Sequence, residues 1–208
     1  MASSLLFITS LLVGLVGCCY GSVLFSSLNR TLVVHASPKQ GDVLRAGENK
    51  ITVTWNLNQS LPASTDDDYA KVKLKLCYAP VSQKDRAWRK TENEMKRDKT
   101  CQFTILATPY YDSFGNADKS RQSFEWAIER DVPTATYFVR AYAYDSAGAE
   151  VAYGQTTDGN KASNLFDVQG INGRHVSLDT AAATFSAFSV LTLVGFFFNE
   201  KRKKARAS

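Results

Sequence analysis

The sequence predicts an all-β domain built as an antiparallel sandwich, followed by a single membrane-crossing helix. Period-two hydrophobicity recurs in seven short segments between Thr31 and Val168, and turn residues, not helical crossovers, separate them. An uncharged apolar run, residues 181–198, then stands directly before a cluster of basic residues.

The elements follow in chain order. No charged residue precedes Arg30. Residues 5–16 form an apolar run of secretory-signal length, and Cys19-Tyr20-Gly21 offers small residues at the positions read for cleavage, so residues 1–21 are expected to be a removed signal peptide. Residues 22–175 are the expected extracellular domain, with strands at 31–36, 51–55, 70–78, 101–105, 124–128, 137–144 and 151–153. In the third of these, Val72, Leu74, Leu76 and Tyr78 share one face while Lys71, Lys73 and Lys75 share the other, the pattern of a half-buried strand. Asp145-Ser-Ala-Gly148 is a turn joining the last two into a hairpin, and residues 137–148 resemble the penultimate strand and turn of immunoglobulin- and fibronectin-like sandwiches. Residues 176–199 are the expected transmembrane segment. The 18 uncharged residues 181–198 within it reach about 27 Å as a helix, just under the hydrocarbon thickness. Residues 200–208 are the basic tail, which the positive-inside bias holds in the cytoplasm, so the domain lies outside.

Charge and cysteine usage exclude several functions. Of the net charge of +5, the tail holds five cations against one anion and so supplies +4; the remainder gives no basic face for a nucleic acid. Loss of the signal removes Cys18 and Cys19 and leaves Cys77 and Cys101 to form one disulfide in an oxidising compartment. His35 and His175 lie far from both cysteines, without zinc-like spacing, so no metal and no cofactor is expected. Asp66-Asp-Asp68 reads as solvated charge because consecutive residues of an extended chain point to opposite faces. Nothing arranges a nucleophile, base or phosphate loop, so the chain is not expected to be an enzyme. Asn29 and Asn58 begin glycosylation sequons.

Two regions stand out as binding elements. Residues 83–99 carry seven cations and four anions and read as an exposed loop with a short helix, in which Trp88 between Arg86 and Arg89 has the composition of a protein contact centre. In the membrane helix Ala182, Ser186 and Ser189 recur at i, i+4 and i+7, a small-residue stripe suited to packing on another helix.

Seven blocks then carry a family resemblance: Val72-Lys-Leu-Lys-Leu-Cys-Tyr-Ala-Pro80, Trp88-Arg-Lys90, Asp98-Lys-Thr-Cys101, Thr136-Tyr-Phe-Val-Arg-Ala-Tyr142, Val151-Ala-Tyr-Gly-Gln155, Gly173-Arg-His175 and Phe198-Asn-Glu-Lys-Arg202. Together they resemble the plant accessory proteins that activate high-affinity nitrate transporters. Ala87 departs from the pattern, which has proline before the tryptophan. The resemblance implies a non-catalytic plasma-membrane subunit that binds a multi-spanning nitrate transporter of the major facilitator type in a hetero-oligomer. It places weight on Arg89 and Asp98, read as exposed charges facing the partner, with Arg89 forking onto a partner carboxylate and Asp98 fixing the loop by accepting bonds from its neighbours or from a partner arginine. A cell-surface receptor or adhesion protein is the alternative with the same topology.

Overall fold

The computed structural model of the protein describes residues 22–110, 122–173 and 176–207; the expected signal peptide, with Cys18 and Cys19, lies outside the described residues. The chain divides into two units, one ending at Gly170 and the other beginning at Ile171.

The first unit is a two-sheet sandwich with ten described strands: β1 (Asn29–Arg30), β2 (Leu32–Ala36), β3 (Val43–Arg45), β4 (Lys50–Leu57), β5 (Lys71–Tyr78), β6 (Phe103–Pro109), β7 (Gln122–Ala127), β8 (Ala135–Tyr144), β9 (Glu150–Gln155) and β10 (Phe166–Gln169). The smaller sheet runs β2-β4-β7, and the larger has β8 at its centre. One edge of β8 pairs along its length with β5, which in turn pairs with β6; the other edge is shared between β9 and β10. Each of the seven strands expected from hydrophobic alternation is present. The three additional strands have two, three and four residues, too few to show a period. All three take part in the only parallel pairings among the described strands, β1 with β9 and β3 with β10, where antiparallel pairing was expected throughout.

Alternation along β8 explains what sits where. Tyr137, Val139, Ala141 and Ala143 point into the core between the sheets, joined by Val72, Leu74 and Leu76 of β5 and by Ile51, Val53 and Trp55 of β4. Each Val, Leu or Ile side chain among them, fully buried, contributes about 1.5–3 kcal/mol. The sheets approach closely at Gly154, where an added Cβ would lie 2.2 Å from the Leu32 carbonyl oxygen. The β8–β9 hairpin closes as expected on the turn at 145–148: Gly148 takes φ +83°, and Asp145 accepts the Ala149 amide at 2.8 Å.

The second unit is dominated by α1 (Val176–Ala207), of 32 residues. Within its segment Val176–Arg206 the most apolar 18-residue window has mean hydropathy 1.9 and no buried residue, the length and composition of a membrane span. The helix continues without a break through the basic tail. Within it, the Thr184 and Thr192 hydroxyls donate to the carbonyls of Ala181 and Ser189 at 2.8 and 2.9 Å, which satisfies these polar groups inside the helix.

Candidate partner-binding site

β5 ends at Tyr78, and Cys77 beside it is joined to Cys101 just before β6, a sequence separation of 24. The bridge therefore closes the charged loop at its base. Inside the loop, one-turn 3-10 helices form at Pro80–Ser82 and Ala87–Arg89, the second carrying Trp88. Between them Asp85 takes φ 57°, a left-handed conformation that Asp tolerates better than most residues.

The loop is not a solvated connection but a cross-linked one. Gln83 donates to the Tyr78 carbonyl at 2.9 Å and accepts the Thr91 hydroxyl at 2.8 Å. The hydroxyls of Thr91 and Thr100 meet at 2.8 Å, and the Lys99 amide donates to the Lys90 carbonyl at 3.0 Å. Asp98 accepts three bonds on one oxygen, from the Glu92 and Thr100 amides, both at 3.2 Å, and from the Thr100 hydroxyl at 2.6 Å. Its partners are thus its own neighbours. Asp98 also favours the charged forms of two half-buried lysines whose pKa values are pushed down: Lys75, chiefly by burial and then by Lys73, and Lys161, chiefly by burial and then by Arg140.

The residues expected to meet a partner separate into two kinds. Trp88 is 62% exposed and Arg86 is exposed, while the Trp88 carbonyl is held by the Gln102 amide at 2.6 Å. Arg89, expected on the surface, is instead 7% exposed. Its guanidinium lies 4.2 Å above the Tyr78 ring, Nη1 donates to the Ser82 carbonyl at 3.3 Å, and buried Nε finds no acceptor among the described residues. The triple aspartate also divides: Asp66 is buried, whereas Asp67 and Asp68 are exposed.

Beyond Asn93 the loop crosses the face of β8 turned away from the core, where it meets the N-terminal segment of the domain. The Phe25 amide donates to the Asn93 carbonyl at 2.6 Å, the Ser26 amide to the Asn93 side chain at 2.9 Å, and the Met95 amide to the Val23 carbonyl at 2.9 Å. Together they roof Arg140, which is 1% exposed. Its Nε and Nη2 both donate to the Gln155 side-chain oxygen, at 3.1 and 2.9 Å, and Nη1 donates to the Tyr142 hydroxyl at 2.9 Å. Phe25 lies 4.4 Å from the guanidinium, and its ring packs on Tyr153 with centroids 4.6 Å apart. Arg140 was not singled out in the sequence. Its signal was there: in residues 137–144 it is the one charge in an apolar strand, at the parity of Tyr142 and Tyr144.

The remaining candidates lie apart from this loop. Asn29 is exposed on β1, and Asn58 is half-buried just beyond β4. Ala182 is exposed, as are Ser186 and Ser189, on α1. Among the described residues no three His, Cys, Asp or Glu side chains gather to hold a metal ion.

The geometry defines a class: a β-sandwich carried with a membrane-span helix, presenting an aromatic and basic loop rigidified by a disulfide. Comparison with known proteins names the family. Residues 25–173 match the family described as high-affinity nitrate transporter accessory, Ig-like domain, and the chain belongs to that family. The chain is 52% identical over 184 residues to high-affinity nitrate transporter 3.1 of Arabidopsis thaliana, covering 86% of this chain and 84% of that protein. It is 50% identical over 182 residues to high-affinity nitrate transporter-activating protein 2.1 of Oryza sativa subsp. japonica, covering 88% of this chain and 83% of the rice protein. Among solved structures, a Niemann-Pick type C2 protein from Japanese carpenter ant covers 72% of this chain and 96% of its own at TM-score 0.33 and 9% identity, too loose a likeness to bear on fold or function.

Proposed function

We propose that the protein is a non-catalytic accessory subunit that binds and activates a multi-spanning high-affinity nitrate transporter. The observation that carries this reading is the family match over nearly the whole domain, together with relatives named as activating proteins at about half identity. Physical argument supports the division of labour. One apolar helix cannot enclose a polar path through hydrocarbon, so the nitrate path belongs to the partner, a transporter of the major facilitator type in a hetero-oligomer. In this reading residues 1–21 are cleaved, residues 22–175 lie outside the plasma membrane with glycans on Asn29 and Asn58, residues 176–199 cross it, and residues 200–208 lie inside.

Arg86 and Trp88 meet the partner directly, Asp98 holds the loop that presents them, and Arg89 acts from the base of the same loop. The stripe of Ala182, Ser186 and Ser189 packs on a transporter helix. Nitrate uptake in a heterologous cell expressing the transporter with and without this chain tests the reading. Uptake should rise several-fold on co-expression, and an unchanged rate would refute it.

A further inference from the structure

Arg89, whose Nε finds no acceptor among the described residues, lies beside an open groove of about 420 Å3. The groove is lined by Val81 and Ser82, by Arg86 and Arg89 of the loop, and across from them by residues of β3, β8 and β10, including Val43 and Asp167. Val43 and Val81, apolar residues in this lining, are 64% and 67% exposed. β3 is the last strand of its sheet, so the groove opens at an edge. Two arginines and one carboxylate line the groove, and an oxygen of that carboxylate already accepts the Thr136 hydroxyl at 2.6 Å. The groove therefore carries excess positive charge, half of it on a guanidinium removed from water with one carbonyl and one ring as compensation.

Size decides what such a groove takes. Its volume holds on the order of a dozen waters at ~30 Å3 each, far more than a four-atom anion needs. It suits a side chain with apolar neighbours. We propose that the groove receives an acidic side chain from a segment of the transporter, its carboxylate pairing with Arg89 and Arg86 while flanking apolar groups cover Val43 and Val81. This rests on the accessory-subunit reading and adds to it the chemistry of the contact. It also assigns Asp167 a role: the like charge that weakens the contact and makes it selective for a well-placed carboxylate.

The test measures the affinity of the purified full-length chain for the detergent-solubilised transporter. Val43→Glu puts a carboxylate at an exposed position and should weaken binding about tenfold with an unchanged unfolding midpoint. Asp167→Asn keeps an acceptor for Thr136, removes the like charge and should tighten binding about threefold. Arg89→Lys retains charge without the planar fork and should weaken it about tenfold. Affinities unchanged in Val43→Glu and Asp167→Asn would overturn the proposal. So would calorimetric binding of sodium nitrate, against sodium chloride at equal ionic strength, that Arg89→Lys abolishes while Val43→Glu leaves transporter affinity intact: the groove would then serve a free anion. If uptake still requires the chain while both groove variants bind like the wild type, the groove is wrong and the accessory role stands. A wild-type chain with no affinity for the transporter ends both.

Discussion

Arg140 and Arg89 are both buried, both lie against tyrosine rings, and both are enclosed with the help of the same disulfide-closed loop, yet they are satisfied to different degrees. Arg140 donates three hydrogen bonds to Gln155 and Tyr142 and is roofed by Phe25 and the residues beyond Asn93. Among the described residues Arg89 donates one long bond to Ser82, leaves Nε without an acceptor, and borders a groove. A buried cation completed by its own chain is a fold element, whereas the one left incomplete beside an opening is where the proposal above places the partner's carboxylate. The loop thus has two halves, one roofing the sheet and one facing outward.

The largest expected effect comes from breaking the finished half. Arg140→Ala leaves the Gln155 oxygen and the Tyr142 hydroxyl buried without their donor and opens a cavity under Phe25, so unfolding of the full-length protein should cost about 3–5 kcal/mol less than in the wild type. A loss under about 1 kcal/mol would mean that the roof does not depend on the cation. Close behind comes Cys77→Ser. Opening a loop of about 25 residues should remove ~3.5 kcal/mol by chain entropy and reduce the mature protein at the membrane. Free-thiol labelling of the unreduced wild type should find neither Cys77 nor Cys101 reactive, and two reactive thiols would contradict the bridge.

Those two halves were unequally legible in the sequence. Strands of five residues or more announced themselves by alternation, because one side of each packs on a core that demands it; β1, β3 and β10 owe their existence to neighbours distant in the chain. The loop's cysteines, Trp88 and Asp98 were readable as residue types. Their arrangement was not, since composition reports charge and cannot report that Asp98 spends its acceptors on Glu92 and Thr100. Arg89 was misread for the same reason: a charged residue in a charged loop reads as solvated, and only the Tyr78 ring beneath it reveals the burial. The roof over Arg140 joins residues 23–28 to residues 93–98, a pairing no local pattern encodes.

Asp98→Ala sharpens the comparison at the junction of the halves. Removing the acceptor of three bonds should cost about 1–3 kcal/mol, felt as faster amide exchange at Glu92 and Thr100 with the inter-sheet core still protected. If exchange there is unchanged while transporter affinity collapses, Asp98 touches the partner directly and does not act through the loop. Arg89→Met is the counterpart. It keeps the volume, removes an orphaned donor and a buried charge, and should change stability by no more than about 1 kcal/mol while transporter affinity falls. A loss as large as that of Arg140→Ala would erase the distinction between the two arginines.

The smallest expected effect is a pH dependence on the finished side. Gln155, which holds Arg140, is itself held by its side-chain amide, which donates to the Asp158 carbonyl at 2.7 Å. The turn at Asp158 is closed by its carboxylate, which accepts the Ala162 amide at 2.8 Å and the Ser163 amide at 3.3 Å. The bond from Ala162 is the main cause holding the Asp158 carboxyl below its ordinary range; desolvation is the next influence and opposes it, and Ser163 and Thr157 add to the lowering. Because the folded carboxyl titrates below the unfolded one, its stabilisation is complete above the ordinary aspartate pKa of ~3.9 and is lost as pH falls through the lowered folded value. Amide exchange at Ala162 and Ser163, corrected for its intrinsic pH dependence, should therefore lose protection in that acid window, with Arg140's neighbours loosening only after it. In Asp158→Asn the side chain retains an acceptor without the charge, so the acid step should vanish and partial protection remain at neutral pH. An acid step of undiminished size in that variant would assign the titration to another carboxylate and free Arg140's support from this turn.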